Sequence, residues 1–252
     1  MLNLFVFEGS ILLTLYISAA FLVAGYIKGV LGMGMPAILM VMLTLIMAPI
    51  TAIPLIVLPM LFVNILQFYR GPSPATVVRG YWIFGASICI VLGVTAYNIT
   101  SFPEEILLAS IGIAMVMFAV PSLFGWRFTI SAHPAWQVLA GSIAGVLGGL
   151  SAVWSPPVVM YLIGRNVEKD EFIGIIGFLF FAGSLTLALA LGSINLLTFN
   201  VVVPSMAGLV LSLIGFRLGE MTRAHINREL FRKMILIAFL ILGTRMVVIS
   251  LF

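Results

Sequence analysis

Two glycine-rich interruptions decide the fold of this chain: Gly29-Val30-Leu31-Gly32-Met33-Gly34-Met35-Pro36, and Gly145-Val146-Leu147-Gly148-Gly149-Leu150-Ser151-Ala152-Val153-Trp154-Ser155-Pro156. Each lies in apolar sequence, and each is followed by a short apolar piece that ends near Met47 or Gly164. A spanning helix needs roughly 20 apolar residues. These pieces are therefore predicted to be re-entrant hairpins or half-helices, and whether each one crosses the membrane stays open.

The composition is that of a polytopic membrane protein. Of the 252 residues, 63% are hydrophobic and 8% are charged, against about 45–50% and about 25% in an ordinary globular chain. The formal net charge of +4 comes from basic residues placed between apolar runs, so no nucleic-acid partner is expected. The single cysteine, Cys89, excludes a disulfide framework and a thiolate metal cluster.

The predicted fold class is all-α, with about seven full spans plus the two broken segments. The spans run over residues 9–28, 49–69, 79–98, 104–124, 169–192, 198–216 and 234–251. Cytoplasmic loops carry an excess of Lys and Arg. With the N-terminus outside, 11 of the 12 basic residues lie inside, Arg245 being the exception, while Glu104 and Glu105 lie outside. We therefore expect a multi-pass protein of the inner (plasma) membrane.

The two halves of the chain resemble each other. Ala24-Gly25-Tyr26-Ile27-Lys28-Gly29-Val30-Leu31-Gly32 aligns with Ala140-Gly141-Ser142-Ile143-Ala144-Gly145-Val146-Leu147-Gly148, with seven of nine positions identical. In the predicted orientation the first copy runs outside to inside and the second runs inside to outside. This predicts an inverted repeat, 1–124 and 135–252, joined by a cytoplasmic linker over 125–134. The four-residue spacing of glycines in both copies predicts close helix packing.

The ionisable residues favour an anion over a cation as ligand. No Asp or Glu lies deep in an apolar segment, and both histidines, His133 and His225, lie in predicted loops. Proton and metal-cation pathways usually need such groups inside the membrane, so neither a metal site nor a cofactor is expected. Ser151 has no histidine partner within the membrane, so no catalytic residue is predicted.

The interruptions themselves offer an anion site. Pro36 and Pro156 stand where a helix would begin, and Ser155 is placed to cap the second start. A helix that begins at membrane depth presents free N–H groups and a partial positive charge, which favour oxyanions. The predicted binding residues are Lys28, Gly32, Gly34, Pro36, Gly148, Gly149, Ser151, Trp154, Ser155 and Pro156.

Several of these side chains have a plainer interpretation that stays open at this stage. Lys28 ends the first helix and would then extend to the headgroups. Its counterpart in the repeat is Ala144, so packing common to both halves does not need the charge. Asn64 and Gln67 share a helix face and either bond between helices or line the path. Arg165 either marks topology or lines a vestibule.

At the interruptions the sequence resembles the sulfite exporter TauE/SafE family, also called the toluene-sulfonate uptake permease family. The likeness lies in residues 29–36 and 145–149, in Pro156-Pro157 and in Tyr161-Leu162, and the two-half layout covers nearly the whole chain. The resemblance implies a bacterial inner-membrane carrier for sulfite, organosulfonates and related anions. Ala152-Val153-Trp154 replaces glycines of the family pattern, so Trp154 is expected to narrow or cap the site.

The resulting hypothesis is a secondary transporter that exports small sulfur oxyanions, such as sulfite or organosulfonates, by alternating access. Export is preferred because an inside-negative potential expels an anion with about 2.3 kcal/mol per charge per 100 mV. The alternatives are an anion channel, a transporter of small carboxylates, and an assembly factor or receptor that transports nothing. The expected partners are a small anion and the lipid bilayer, and a homodimer stays open.

Overall fold

The structure, a computed structural model, describes residues 11–70, 74–126, 129–131 and 133–251. These residues form α-helices and no strand. The helices are α1 Ile11–Leu31, α2 Met35–Leu43, α3 Pro49–Arg70, α4 Pro74–Tyr97, α5 Glu104–Phe124, α6 Pro134–Ser151, α7 Ser155–Gly164, α8 Lys169–Ser193, α9 Phe199–Thr222 and α10 Arg228–Ile249. Residues 9–10 of the first predicted span, and 127, 128 and 132 of the predicted linker, lie outside the described residues.

Among the described helices, six are long and apolar enough to cross a membrane, namely α1, α3, α4, α5, α8 and α9. They correspond to six of the seven predicted spans. The seventh falls largely within α10, which has 22 residues but carries Arg232 and Lys233 near its start and Arg245 near its end. Each interruption separates a longer helix from a shorter one, α1 from α2 and α6 from α7. The all-α, polytopic fold class is confirmed.

The main helix contacts cross between the two halves of the sequence. Helix α1 packs against α9, and α6 packs against α4. Helix α3 lies along α8, and α5 lies along α10. Exchanging α1–α5 in order with α6–α10 turns the α1–α9 pair into the α6–α4 pair. The same exchange leaves the α3–α8 and α5–α10 pairs unchanged. Two interlocked repeats would pack in this way, and the boundaries 1–124, 125–134 and 135–252 stay a prediction.

Glycines allow these crossing pairs to approach closely. A Cβ atom added at Gly25 of α1 would overlap the backbone of Ser212 in α9. In the other pair, a Cβ at Gly145 of α6 would lie 2.7 Å from the Cβ of Val91 in α4. Larger residues would force the helices apart, so the packing role predicted from the glycine spacing is confirmed.

Helix α3 continues through a proline because a neighbouring helix compensates for it. Pro59 has no N–H to donate to the carbonyl of Leu55, one turn earlier. The hydroxyl of Ser205 in α9 donates to that carbonyl instead, at 2.7 Å. Membrane helices tolerate proline when a neighbour satisfies the freed group in this way. The bond ties α9 to the helix that carries Asn64.

Candidate functional site

The chain leaves helical geometry between α1 and α2 at two glycines. Gly32 has φ 82° and Gly34 has φ 95°, in the left-handed region that glycine adopts without steric cost. A Cβ at Gly32 would meet no described atom within 4 Å, and one at Gly34 would meet only Ile38 Cδ1, at 3.8 Å. Both glycines therefore serve the backbone conformation rather than packing. Helix α2 follows with Gly34 as its N-cap and Pro36 in its first turn.

The break between α6 and α7 is built differently. Ala152 has φ 57°, a left-handed conformation at a residue that is not glycine. The hydroxyl of Ser151 donates to the carbonyl of Leu147 at 2.6 Å and accepts from the N–H of Val153 at 3.1 Å. Ser151 thus uses its hydroxyl to hold the turn in place.

The start of α7 offers fewer backbone donors than its position suggests. Helix α7 begins at Ser155 with Trp154 as its N-cap, so the prediction that Ser155 caps this helix is wrong, since the helix begins one residue earlier. Pro156 and Pro157 have no N–H, which removes two of the amides that a helix start leaves unbonded. Neither this start nor that of α2 has a side-chain capping bond among the described residues. Binding of an anion at the start of α7 therefore depends more on side-chain donors, and less on the helix dipole, than the sequence suggests.

The two interruptions meet at a small cavity, called here the central cavity. Its volume is about 10 Å³, enough for about one water molecule. It brings together six of the predicted binding or path-lining residues with three others. The lining residues are Lys28, Met33, Gly34, Pro36, Asn64, Ala152, Trp154, Ser155 and Phe180. The beginnings of α2 and α7 therefore share one site with α1, α3 and α8.

Lys28 is the charged group at the central cavity. Its side chain is 2% exposed, so it does not reach the headgroups, as the plainer interpretation required. Its Nζ donates to Asn64 Oδ1 at 2.6 Å, and Asn64 Nδ2 donates to the carbonyl of Phe180 at 3.2 Å. Of the described carboxylates, none lies within 4 Å of this Nζ. An ammonium group has three N–H donors, so Lys28 can also bind a ligand.

Trp154 occupies the space beside the central cavity. It is 3% exposed, and its indole lies between glycines of two helices. A Cβ at Gly148 of α6 would lie 3.0 Å from indole Cε3, and one at Gly183 of α8 would lie 2.9 Å from Cε2. The ring of Phe180 meets it edge-on, with centroids 6.2 Å apart. The indole Nε1 is buried, with no hydrogen-bond partner in the described part of the chain.

A larger cavity, called here the vestibule, adjoins the central cavity at Lys28 and Met33. Its volume is about 280 Å³, and its walls come from α1, α3, α8 and α9. Gly32 lines it, and its polar side chains are Lys28, Gln67, Glu220 and Arg223. Lys28 is thus reached from a space large enough for a small organic anion.

The other predicted site residues line neither cavity. Gly148 and Gly149 pack closely, and a Cβ at Gly149 would lie 2.6 Å from the Cβ of Thr95 in α4. Pro156 is buried in the first turn of α7, next to Ser155, and Arg165 is the C-cap residue at the opposite end of that helix. The structure thus divides the predicted set into residues at the central cavity and residues that shape the break around it.

Sequence reasoning missed several residues of this region. The predicted span ended at residue 216, but α9 continues to Thr222 and brings Glu220 and Arg223 to the vestibule. Phe180 contributes its main-chain carbonyl, which accepts from Asn64. Every residue has such a carbonyl, so the sequence does not predict this contact. Gly183 lies within an apolar helix. There a glycine predicts close packing, but the sequence does not indicate which residue it packs against.

The family model described as sulfite exporter TauE/SafE matches residues 17–246, nearly the whole chain. The chain belongs to the TauE/SafE family. Membership of TauE/SafE implies a membrane transporter of sulfur anions such as sulfite, and the family is one of transporters rather than enzymes. No curated protein and no solved structure matches the chain. The central cavity and the vestibule lie within the residues that TauE/SafE covers.

Proposed function

We propose that this TauE/SafE protein is a secondary carrier that exports small sulfur oxyanions such as sulfite by alternating access, and that the anion binds at the central cavity. The observation that carries the proposal is the buried ammonium of Lys28, which no described carboxylate within 4 Å neutralises. A buried charge without a partner is costly inside a membrane protein. A bound anion supplies the counter-charge and is released when the site opens.

The donors around the central cavity suit an oxyanion. Lys28 supplies the positive charge, and the start of α2 adds unbonded amides with a partial positive charge. Trp154, which lines this cavity, carries a buried neutral N–H with no hydrogen-bond partner in the described part of the chain. A cavity of about 10 Å³ is smaller than a sulfite ion, so binding must widen it. The open space around Gly32 supports widening on the side of the first interruption.

The distribution of basic residues supports an N-terminus outside the inner (plasma) membrane. In that orientation the vestibule, with Arg223 at the end of α9, faces the cytoplasm. An internal anion then reaches Lys28 past Gln67 and Arg223. Exchange of the two interlocked halves closes this side and opens the other. The membrane potential favours this direction by about 2.3 kcal/mol per charge per 100 mV.

The test is flux of labelled sulfite in proteoliposomes under an imposed potential. A carrier gives saturable flux, which unlabelled sulfite inhibits, and gives counterflow of labelled substrate. Conductance without counterflow indicates an anion channel, and stronger competition by small carboxylates indicates a carboxylate transporter. Flux of sodium or potassium alone, or no flux of any anion, contradicts the proposal.

A further inference from the structure

We propose that Trp154 sets the size limit of the anion site, so that the carrier translocates inorganic sulfur oxyanions such as sulfite and excludes sulfonates with bulky substituents. This inference rests on the proposed function. A sulfonate presents the same charged, oxygen-rich head to Lys28 as sulfite does, so recognition of charge separates the two poorly. The site can therefore distinguish the two anions by the size of the substituent on sulfur.

The indole is held firmly enough to act as such a limit. Gly148 and Gly183 of two different helices lie against the ring, and at either position a Cβ would approach it to 3.0 Å or less. The preceding turn is fixed by the hydroxyl of Ser151, which bonds on both sides of it. The ring therefore has little room to swing away from the central cavity. A larger substituent fits on this side of the cavity only if the side chain of Trp154 is removed.

The other boundary of the site, at the first break, widens to admit the anion but must close again during transport. Met33, in that break, lines the central cavity, the vestibule and a second neighbouring cavity of about 250 Å³. A substituent that points toward Met33 would keep the central cavity connected to these larger spaces. A carrier must close the site around its substrate before it opens the other side. A substituent in that position would therefore stop transport. The whole anion must therefore fit within the closed site, of which Trp154 forms one wall.

The test compares labelled sulfite with labelled 4-toluenesulfonate in proteoliposomes. Wild type should transport sulfite and not toluenesulfonate. Trp154→Ala should raise the ratio of toluenesulfonate to sulfite transport by at least about tenfold, the lower end of the discrimination that an apolar pocket gives. Trp82→Ala is the matched control, since Trp82 is 59% exposed and should leave the ratio unchanged. Trp154→Leu gives a second, smaller reduction in size and should fall between wild type and Trp154→Ala.

Trp154→Phe separates ring size from the indole N–H. It should still exclude toluenesulfonate, while its apparent KM for sulfite rises because a donor is lost. Loss of exclusion in this variant, or an unchanged ratio in Trp154→Ala and Trp154→Leu, overturns the size limit. Equal transport of both anions by wild type also overturns the size limit, but it is consistent with the proposed carrier function. Transport of neither anion by wild type overturns the proposed function, and the size limit with it.

Discussion

At the scale of single residues, the partner of Lys28 is an amide and not a carboxylate. The side chain of Asn64 is itself held by the carbonyl of Phe180, so it directs the ammonium without neutralising it. A permanent carboxylate partner would compete with any substrate anion. The amide leaves the positive charge available, and this suits a site that must bind an anion and then release it.

Replacing the charge tests this arrangement directly. We expect Lys28→Ala to raise the apparent KM for sulfite by roughly 10- to 100-fold, because a hydrogen bond to a charged group contributes about 1.5–3 kcal/mol. Flux in proteoliposomes measures it. Lys233→Ala is the control, since the side chain of Lys233 is 59% exposed and lies 3.2 Å from Glu229. Unchanged kinetics in Lys28→Ala would leave Lys28 a structural residue.

Adding a charge to the partner tests the same idea from the other side. Asn64→Asp places a carboxylate where Asn64 Oδ1 now lies, 2.6 Å from the Nζ of Lys28. The resulting ion pair should exclude the substrate, and sulfite flux should fall to background while the protein stays folded. Asn98→Asp adds the same charge at an exposed position and should transport normally. Wild-type kinetics in Asn64→Asp would mean that the anion does not use Lys28.

At the scale of elements, the two breaks differ in the contacts that hold them. The break between α1 and α2 turns on glycines with open space around them. The break between α6 and α7 is locked by the hydrogen bonds of Ser151 and by the packing of Trp154. Opening and closing of the site is therefore expected to move the first break against the second. The helix pairing is symmetric under exchange of the two halves, but the two breaks are expected to differ in mobility.

The backbone of the first break can be tested at one glycine. Gly32→Ala adds a methyl group that meets no described atom within 4 Å, so its effect comes from φ 82° alone. We expect a loss of about 1–2 kcal/mol in unfolding free energy, measured by thermal unfolding of the solubilised protein, and slower sulfite flux. Gly192→Ala also enters space free of described atoms, but within a helix, and should cost nothing. Equal stability of the two variants would contradict the role given to Gly32.

The breaks and most helices could be predicted from sequence because glycine and proline act locally on the backbone. The bond between Lys28 and Asn64 could not, since it joins residues 36 positions apart on different helices. The next bond reaches a main-chain carbonyl 116 positions away. Helix periodicity gave Asn64 and Gln67 a shared face, but only packing decides that the first lies at the central cavity and the second at the vestibule.

At the scale of the whole molecule, the orientation can be checked with single cysteines. Cys89 is the only cysteine and is first replaced by serine. Glu104→Cys should then react with a membrane-impermeant maleimide in intact cells, because the distribution of basic residues predicts that this link lies outside. Lys233→Cys should react only after the cells are permeabilised. The reverse pattern would put the vestibule on the outside and favour uptake over export.

The pairing of α1 with α9 also has a consequence for biosynthesis. Helix α1 leaves the ribosome before its main packing partner, and α2 to α8 are made in between. During that interval the glycine face of α1 and the ammonium of Lys28 have only part of their final surroundings. A nascent chain that stalls before α9 keeps a cationic, incompletely packed helix in the bilayer. The packing around α1 is therefore complete only when α9 has been made and inserted.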